Sequence, residues 1–322
     1  MNYILSYPLK ALKGIYSLYG KESSKFGRNW KLFSVKEYAN ESITKGLLDS
    51  KPFMVGRLGA TELTCMVNYL GVKFPNLYQS TSGYIKNQTP PWWWNESIKQ
   101  QMQNYSGFFP VTDNGIEQFC EMMIKELPNV DILGSWLKEE SFFKKELQNS
   151  KVVVLEDLEP FFTEKPWTWA LQGQKVLVIH PFADQIRSQY QNRKNLFANE
   201  LLPQFDLKTI TAVQSLGNEK NPHSSWFEAL ESMKLQILNT DFDVCILGCG
   251  AYGFPLASFI KNQGKKAVHL GGVTQLLFGI KGARWENYIV YPYQNLFNEF
   301  WTRPGQVGRI QNINSVEGGC YW

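Results

Sequence analysis

The 322-residue chain is predicted to be an α/β protein with a doubly wound, mostly parallel, Rossmann-like sheet and helices on both faces. Short apolar runs such as residues 176–179 alternate with helical segments, an order typical of parallel sheets. These runs are continuously apolar, as strands covered on both faces require. Near residue 248, a strand, a glycine turn, a helix and another strand follow one another directly.

The first half of the chain is predicted to contain a helical lead and three strands. Residues 1–50 are expected to form an N-terminal helical extension, and residues 51–170 a first α/β half. Thr61 is the predicted N-cap of the helix that follows the first strand, with Glu62 in its first turn. The predicted elements are a helix over 35–48, a strand over 52–57, a helix through residue 70, helices over 96–104 and 115–126, and strands over 130–133 and 152–155.

The second half, residues 171–322, is predicted to be a Rossmann-like nucleotide-binding unit. No repeat or obvious linker separates it from the first half, so the pattern is also compatible with a single domain. The aromatic, glycine-rich tail over 316–322 is expected to pack back onto the protein. The predicted elements are a strand over 176–179, a helix over 183–197, a strand over 210–213, a helix over 224–238, and strands over 244–247 and 267–270.

Composition excludes several classes of function. The net charge of +4 is too small to predict a nucleic-acid-binding surface. The five cysteines lack C-x-x-C spacing and are expected to be reduced thiols, and the three histidines form no H-x-x-H pair. No stretch approaches eighteen uninterrupted apolar residues and no secretory cleavage pattern is visible, so a cytoplasmic protein is expected.

The first thirty residues mix Ile, Leu and Tyr with Lys10, Lys13, Lys21, Lys25 and Arg28. This pattern leaves two interpretations open. A basic amphipathic helix could make peripheral contact with anionic lipid, on the inner face of the membrane. Alternatively, the helix is docked on the core with a solvated outer face, and this second interpretation is favoured.

Gly248, Gly250 and Gly253 form a G-x-G-x-x-G turn between a strand and a helix. Such a turn lets backbone N–H groups approach a diphosphate, and the helix N-terminus favours the negative charge. NAD-binding proteins of this type place an Asp or Glu about twenty residues later. Residues 267–272 contain no carboxylate, which disfavours an NAD- or S-adenosylmethionine-dependent enzyme. Glycines used only for close helix packing remain an alternative.

Ligands of open α/β sheets bind at the carboxyl ends of the strands, so the residues found there are the candidates for a site. They are rich in groups that bind phosphates and hydroxyls, and neither a Walker A motif nor a G-x-S-x-G elbow occurs. The candidates are Arg57, Gly59, Glu62, Asp157, Glu159, His180, Arg187, Gly248, Gly250, Ala251, Tyr252, His269, Gly271 and Gln275.

Two short segments resemble the GT-D-type glycosyltransferases of bacterial surface-polysaccharide and capsule assembly. Residues 57–62 (Arg-Leu-Gly-Ala-Thr-Glu) are similar to the family's Arg-Phe-Gly-Asp-Gly-Glu, and residues 247–251 and 267–271 are similar to its late strand–loop–helix–strand. The resemblance implies a hexosyltransferase-like enzyme. It would move a sugar from a nucleotide-diphosphate donor to a glycan or lipid-linked acceptor.

The chain departs from the family at Ala60, which stands where the Asp of the family's Asp-x-Glu is thought to bind Mn²⁺ or Mg²⁺. Either Asp157 replaces that carboxylate, or cationic side chains and helix N-termini replace the metal; the second interpretation is favoured. Glu62 is the first candidate for a catalytic base, with Asp157 and Glu159 behind it. Trp93 or Trp167 is expected to form an acceptor platform. A non-catalytic nucleotide- or glycan-binding protein remains an alternative.

Overall fold

A computed structural model describes residues 6–19, 35–216, 222–289, 291–305 and 319–322 of the chain. Within these residues seven strands form one parallel sheet in the order β3-β2-β1-β7-β6-β4-β5. The doubly wound α/β class predicted from the sequence is therefore confirmed. The strands are β1 Phe53–Arg57, β2 Ile132–Ser135, β3 Lys151–Val154, β4 Lys175–His180, β5 Asp206–Thr211, β6 Val244–Leu247 and β7 Lys266–His269.

Helices connect and cover the strands, and most of the predicted helices are present with boundaries shifted by a few residues. Over the described parts of the chain they are α1 Ser6–Tyr19, α2 Lys36–Leu48, α3 Ala60–Lys73, α4 Pro75–Tyr78, α5 Thr81–Ile85, α6 Glu96–Ser106, α7 Asp113–Glu126, α8 Ala183–Tyr190, α9 Arg193–Leu196, α10 Trp226–Leu238, α11 Gly253–Asn262, α12 Thr274–Leu277 and α13 Ala283–Glu286. No described helix is both long and apolar enough to cross a membrane.

Three local predictions were wrong. Helix α3 begins two residues earlier than expected, with Gly59 rather than Thr61 as its N-cap. The helix predicted over 183–197 is divided into α8 and α9 by a turn at residues 191–192, where the Asn192 N–H donates to the Gln189 carbonyl. Strand β5 begins at Asp206, not at residue 210. It lies at the sheet edge, where Lys208 and Thr209 are only partly buried, so its first residues lack the continuous apolar pattern.

Alternate residues of each central strand enter two separate apolar cores. In β4, Val176 and Val178 belong to the core that contains residues of α2 and α8, whereas Leu177 and Ile179 belong to the core that contains residues of α3, α7, α10 and α11. Each fully buried Val, Leu or Ile contributes about 2 kcal/mol through the removal of apolar surface from water. This two-sided burial explains why the strands read as continuous apolar runs.

The connections that leave β4 and β6 go to opposite faces of the sheet. These strands are neighbours, paired from Val176↔Val244 to Ile179↔Leu247. Helix α8, which follows β4, contributes Ile186 to one core, and α11, which follows β6, contributes Leu256 to the other. A crevice therefore opens between the carboxyl ends of β4 and β6, as at the switch point of other open α/β sheets.

The two predicted halves of the chain share this single sheet. Strand β1 pairs with β2 from its own half, at Val55↔Ile132, and with β7 from the other half, at Val55↔Val268. The carboxyl ends of all seven strands thus lie along one edge, and residues distant in sequence can meet there. Part of the predicted basic N-terminal segment, including Lys21, Lys25 and Arg28, lies outside the described residues.

Candidate functional site

A cleft of about 540 Å³ lies at the carboxyl edge of the sheet. This volume is in the range of clefts that bind small-molecule ligands. Every one of the seven strands contributes a residue at or just after its carboxyl end. In strand order β1 to β7 these include Arg57, Trp136, Glu156, His180, Gln214, Gly248 and His269.

The turn between β6 and α11 forms the floor of the switch-point crevice. A Cβ on Gly248 would lie 2.6 Å from Cδ2 of His180 and 2.7 Å from the carbonyl oxygen of Gly271, so only glycine allows these three segments to meet. Gly250 has a left-handed φ of 56° and lines the cleft, and a Cβ added to it would have no neighbouring atom within 4 Å. The turn leads into the N-terminus of α11, where N–H groups favour an anion.

His180 supplies a neutral hydrogen-bond donor beside this turn. Its ring is buried, and burial lowers its pKa to about 3, so the imidazole is uncharged at neutral pH. Nδ1 accepts a 3.0 Å hydrogen bond from the Phe182 N–H. A neutral imidazole that accepts at Nδ1 carries its proton on Nε2. His180 lines the cleft and can therefore donate there without introducing charge.

His269 occupies the end of β7, next to the start of α11. Its ring is buried against Gly253, where an added Cβ would collide with the imidazole. Burial, reinforced by the nearby Arg57 cation, lowers the pKa of His269 to about 3. In the described part of the chain, Nδ1 has no hydrogen-bond partner. This atom has almost no solvent-accessible surface, so Nδ1 is not open to a ligand in the cleft.

Arg57 provides a fixed positive charge at the centre of the cleft. Its guanidinium lies 5.2 Å from the ring of Trp136, whose Nε1 donates a 3.0 Å hydrogen bond to the Leu58 carbonyl. Gly271 has a φ of 67°, and a Cβ there would lie 3.0 Å from Arg57 Nη1. The glycine thus leaves room for the cation. Trp136 remains 46% exposed and presents an aromatic face to the cleft.

Glu62 is the carboxylate on the β1 side of the cleft. It is the third residue of α3, and its side chain folds back over Gly59, where a Cβ would collide with the carboxylate. The N-terminus of the helix stabilises negative charge at this position. The side chain is largely buried yet lines the cleft.

A second carboxyl group, that of Glu159, enters the cleft from the segment after β3. Burial raises its pKa to about 7, although the Tyr293 hydroxyl donates a 2.6 Å hydrogen bond to Oε2 and Lys36 lies nearby. Burial and the neighbouring carboxylate also raise the pKa of Tyr293. Glu159 is thus the cleft carboxyl whose protonation changes near neutral pH.

Three predicted site residues lie outside the cleft lining. Arg187 pairs with Asp184 and donates to the Thr209 hydroxyl of β5. Tyr252 is buried, stacked on Trp226 with ring centroids 4.8 Å apart, so it supports the glycine turn from below. Asp157 is buried beneath the cleft, where its carbonyl accepts from Asn40. The other predicted binding residues, Arg57, Gly59, His180, Gly248, Gly250, Ala251, His269, Gly271 and Gln275, all line the cleft.

The predicted acceptor platform is corrected by the structure. Trp167 is fully buried, with Nε1 donating to the Leu158 carbonyl, because it packs between α2 and the strands. Trp93 is 7% exposed and packs against Tyr84 and Trp92. Both rings are buried in apolar clusters and are not accessible to a ligand.

Several aromatic and cationic residues of the cleft were not selected from the sequence. Trp136 follows β2 directly, so the rule for strand ends could have identified it. Arg284, Tyr321 and Trp322 come from the C-terminal part of the chain; Arg284 donates to the Tyr321 hydroxyl at 3.0 Å, and Gln275 donates to the Tyr321 carbonyl. The expected return of the tail is therefore seen for residues 319–322, and residues 316–318 lie outside the described ranges.

Within the described residues, the side chains of the cleft do not form a metal site by themselves. Ala60 removes one carboxylate of the pair that the resemblance assigns to Mn²⁺ or Mg²⁺. Across the described ranges, no three His, Cys, Asp or Glu side chains gather in an arrangement that could bind a metal ion. Asp157, the other candidate for that carboxylate, lies outside the cleft lining.

Comparisons with protein-family models, with curated proteins and with solved structures find no match to this chain. The function is therefore inferred from the geometry and chemistry of the cleft.

Replacing Glu159 with Gln should stabilise the protein at alkaline pH. Unfolded Glu159 ionises near its ordinary pKa of 4.5 and the folded group near 7, so wild-type stability falls as pH rises between these values. The advantage of Glu159→Gln should grow by about 2 to 3 kcal/mol from pH 5 to pH 8. Urea unfolding at both pH values measures it.

Glu37→Gln, at an exposed first-turn position of α2, is the control and should show no comparable growth. An equal advantage of Glu159→Gln at both pH values would contradict the presence of a buried carboxyl that titrates near neutrality.

Proposed function

We propose that this protein is a glycosyltransferase that moves a sugar from a nucleotide-diphosphate donor to a hydroxyl of a glycan or lipid-linked acceptor. One observation carries the proposal. The switch-point cleft brings the Gly248 turn, the neutral donor His180, the cation Arg57 and the carboxylate of Glu62 together. These are the groups that departure of a diphosphate and activation of a hydroxyl require.

The donor diphosphate is proposed to lie against the Gly250–Ala251 backbone at the start of α11. Gly250 leaves space there, and the helix N-terminus and Arg57 supply positive potential. His180, which carries its proton on Nε2, and His269 line the same cleft. Neutral imidazoles can donate hydrogen bonds to phosphate or sugar oxygens and remain uncharged after the product leaves.

In an inverting transfer, the acceptor oxygen bonds to the anomeric carbon as the bond from that carbon to the diphosphate oxygen breaks. The nucleoside diphosphate leaves with the bonding electron pair, and the proton of the acceptor hydroxyl passes to a carboxylate. Glu62 is proposed as that base because it lines the same cleft as the glycine turn and lies in the first turn of α3. Arg57, His180 and the α11 N-terminus stabilise the charge that develops on the leaving group.

The acceptor is proposed to stack on Trp136, which replaces the buried tryptophans of the sequence-based prediction. Exposed aromatic faces bind the apolar faces of sugar rings, and Trp136 is held in place by Leu58 and Arg57. A lipid-linked acceptor would be met at the inner face of a membrane.

An NAD- or S-adenosylmethionine-dependent enzyme is supported less well by the same cleft. The residue at the end of β7 is His269, buried and neutral, where a ribose-binding carboxylate would be required. A thermal-shift panel separates the classes: stabilisation by UDP- or GDP-sugars supports the proposal, and stabilisation by NAD or S-adenosylmethionine alone rejects it. Nucleotide-sugar binding without turnover would identify a non-catalytic binding protein instead.

Glu62→Gln should fold normally and reduce sugar transfer by about 10²- to 10⁴-fold, because amide nitrogen and oxygen cannot accept the hydroxyl proton. Turnover of nucleotide sugar, measured by release of nucleoside diphosphate with acceptor present, is the assay. Glu228→Gln is the matched control, since Glu228 is also the third residue of its helix but lies away from the cleft. A wild-type rate in Glu62→Gln would remove Glu62 from the mechanism.

Gly250→Val should weaken binding of UDP and GDP by at least about tenfold, since its side chain would fill the space proposed for the diphosphate. Gly264→Val is the control. Gly264 also has a positive φ, 79°, and open space around its Cβ position, so the backbone strain is comparable, yet it lies outside the cleft lining. Calorimetry that finds both variants equal to wild type would place the nucleotide elsewhere.

Removal of divalent metal by EDTA should leave donor binding and turnover within about twofold of the untreated enzyme, because cations and helix N–H groups neutralise the diphosphate. The assay is repeated with added Mn²⁺ and Mg²⁺. Complete inhibition by EDTA that Mn²⁺ reverses would show that the substrate phosphates recruit a metal which the protein alone does not hold.

A further inference from the structure

Helix α1 has one face that the rest of the described protein leaves uncovered. Tyr7, Leu12, Ile15 and Leu18 are 71%, 49%, 54% and 81% exposed. Tyr7, Ala11, Ile15 and Leu18 follow at spacings of three and four residues, so they lie in one stripe with Leu12 beside it. We call these five residues the α1 apolar face. Single exposed apolar residues are ordinary, but a contiguous apolar face on a helix marks an interaction surface.

The opposite side of α1 is anchored to the protein. Leu9 packs against the aromatic cluster of Tyr84, Trp92 and Trp93, and the Lys13 ammonium lies 4.4 Å from the centre of the Tyr84 ring. Burial lowers the pKa of Lys13. The aromatic cluster thus holds α1 in an orientation that directs the apolar face to solvent. Trp93 is not part of the cleft lining, and its role in the structure is to pack in the cluster that holds α1.

The distribution of charge favours one kind of partner for this face. The first thirty residues contain five Lys or Arg and one Glu, an excess of four positive charges. The whole chain has a net charge of +4, so the remaining residues are balanced. Helix α1 itself contains no acidic residue. An apolar helix face within a segment that carries all the excess positive charge is complementary to a surface that combines acyl chains with anionic headgroups.

We propose that the α1 apolar face inserts into the headgroup region of an anionic lipid bilayer, with the exposed Lys10 over the headgroups. A second copy of the chain fits the face less well, since pairing two such segments would bring their positive charges together. The inference does not depend on sugar transfer. It assigns the surface by which the protein would reach a lipid-linked substrate.

The test is sedimentation of the full chain with vesicles of phosphatidylglycerol and phosphatidylcholine, or of phosphatidylcholine alone. Wild-type protein should bind the anionic vesicles at least about tenfold more tightly than the neutral ones, and added salt should weaken binding. The double variant Ile15→Glu/Leu18→Glu should lose at least about tenfold in affinity for anionic vesicles. Leu235→Glu, at a 60% exposed site on α10, is the matched control and should bind as wild type does.

Far-ultraviolet circular dichroism and UDP binding of the double variant should match wild type, which separates this test from that of the proposed function. Wild-type protein that stays in the supernatant with anionic vesicles overturns the proposal, as does a double variant that binds as wild type does. A wild-type dimer that becomes monomeric in the double variant, without vesicle binding, would assign the face to self-association and also overturn it.

Discussion

The site depends on one feature of the fold, which is that the chain leaves the neighbouring strands β4 and β6 towards opposite faces of the sheet. Because the connection after β4 goes to one face of the sheet and that after β6 to the other, a crevice opens between the carboxyl ends of the two strands. Gly248 then allows the turn after β6 to lie directly against His180 and Gly271. A side chain at residue 248 would force these segments apart, and the cleft would lose its floor.

Burial determines the electrostatics of the cleft. It keeps His180 and His269 uncharged, so Arg57 and the N-terminus of α11 supply the positive potential that an anion would meet. The same burial moves the pKa of Glu159 towards neutrality, whereas Glu62 is placed at a helix N-terminus that favours its charge. Glu62 and Glu159 thus lie in different electrostatic environments within one cleft.

The fold class and much of the cleft lining could be predicted from the sequence, because both follow from local patterns. Continuous apolar runs identified the strands, and residues at strand ends, such as Arg57, His180 and Gly248, are brought together by the parallel sheet itself. Side-chain direction could not be predicted in this way. Trp167 and Tyr252 carry suitable chemistry but point into cores, a matter decided by packing between distant segments. Tyr321 and Trp322 reach the cleft only through tertiary contacts.

The most direct test of the central claim is a crystal structure of the protein with UDP or GDP bound. We predict diphosphate oxygens within about 3 Å of the Gly250–Ala251 amides and of His180 Nε2. A nucleotide bound at another surface, or a diphosphate turned away from the β4–β6 crevice, would contradict that claim.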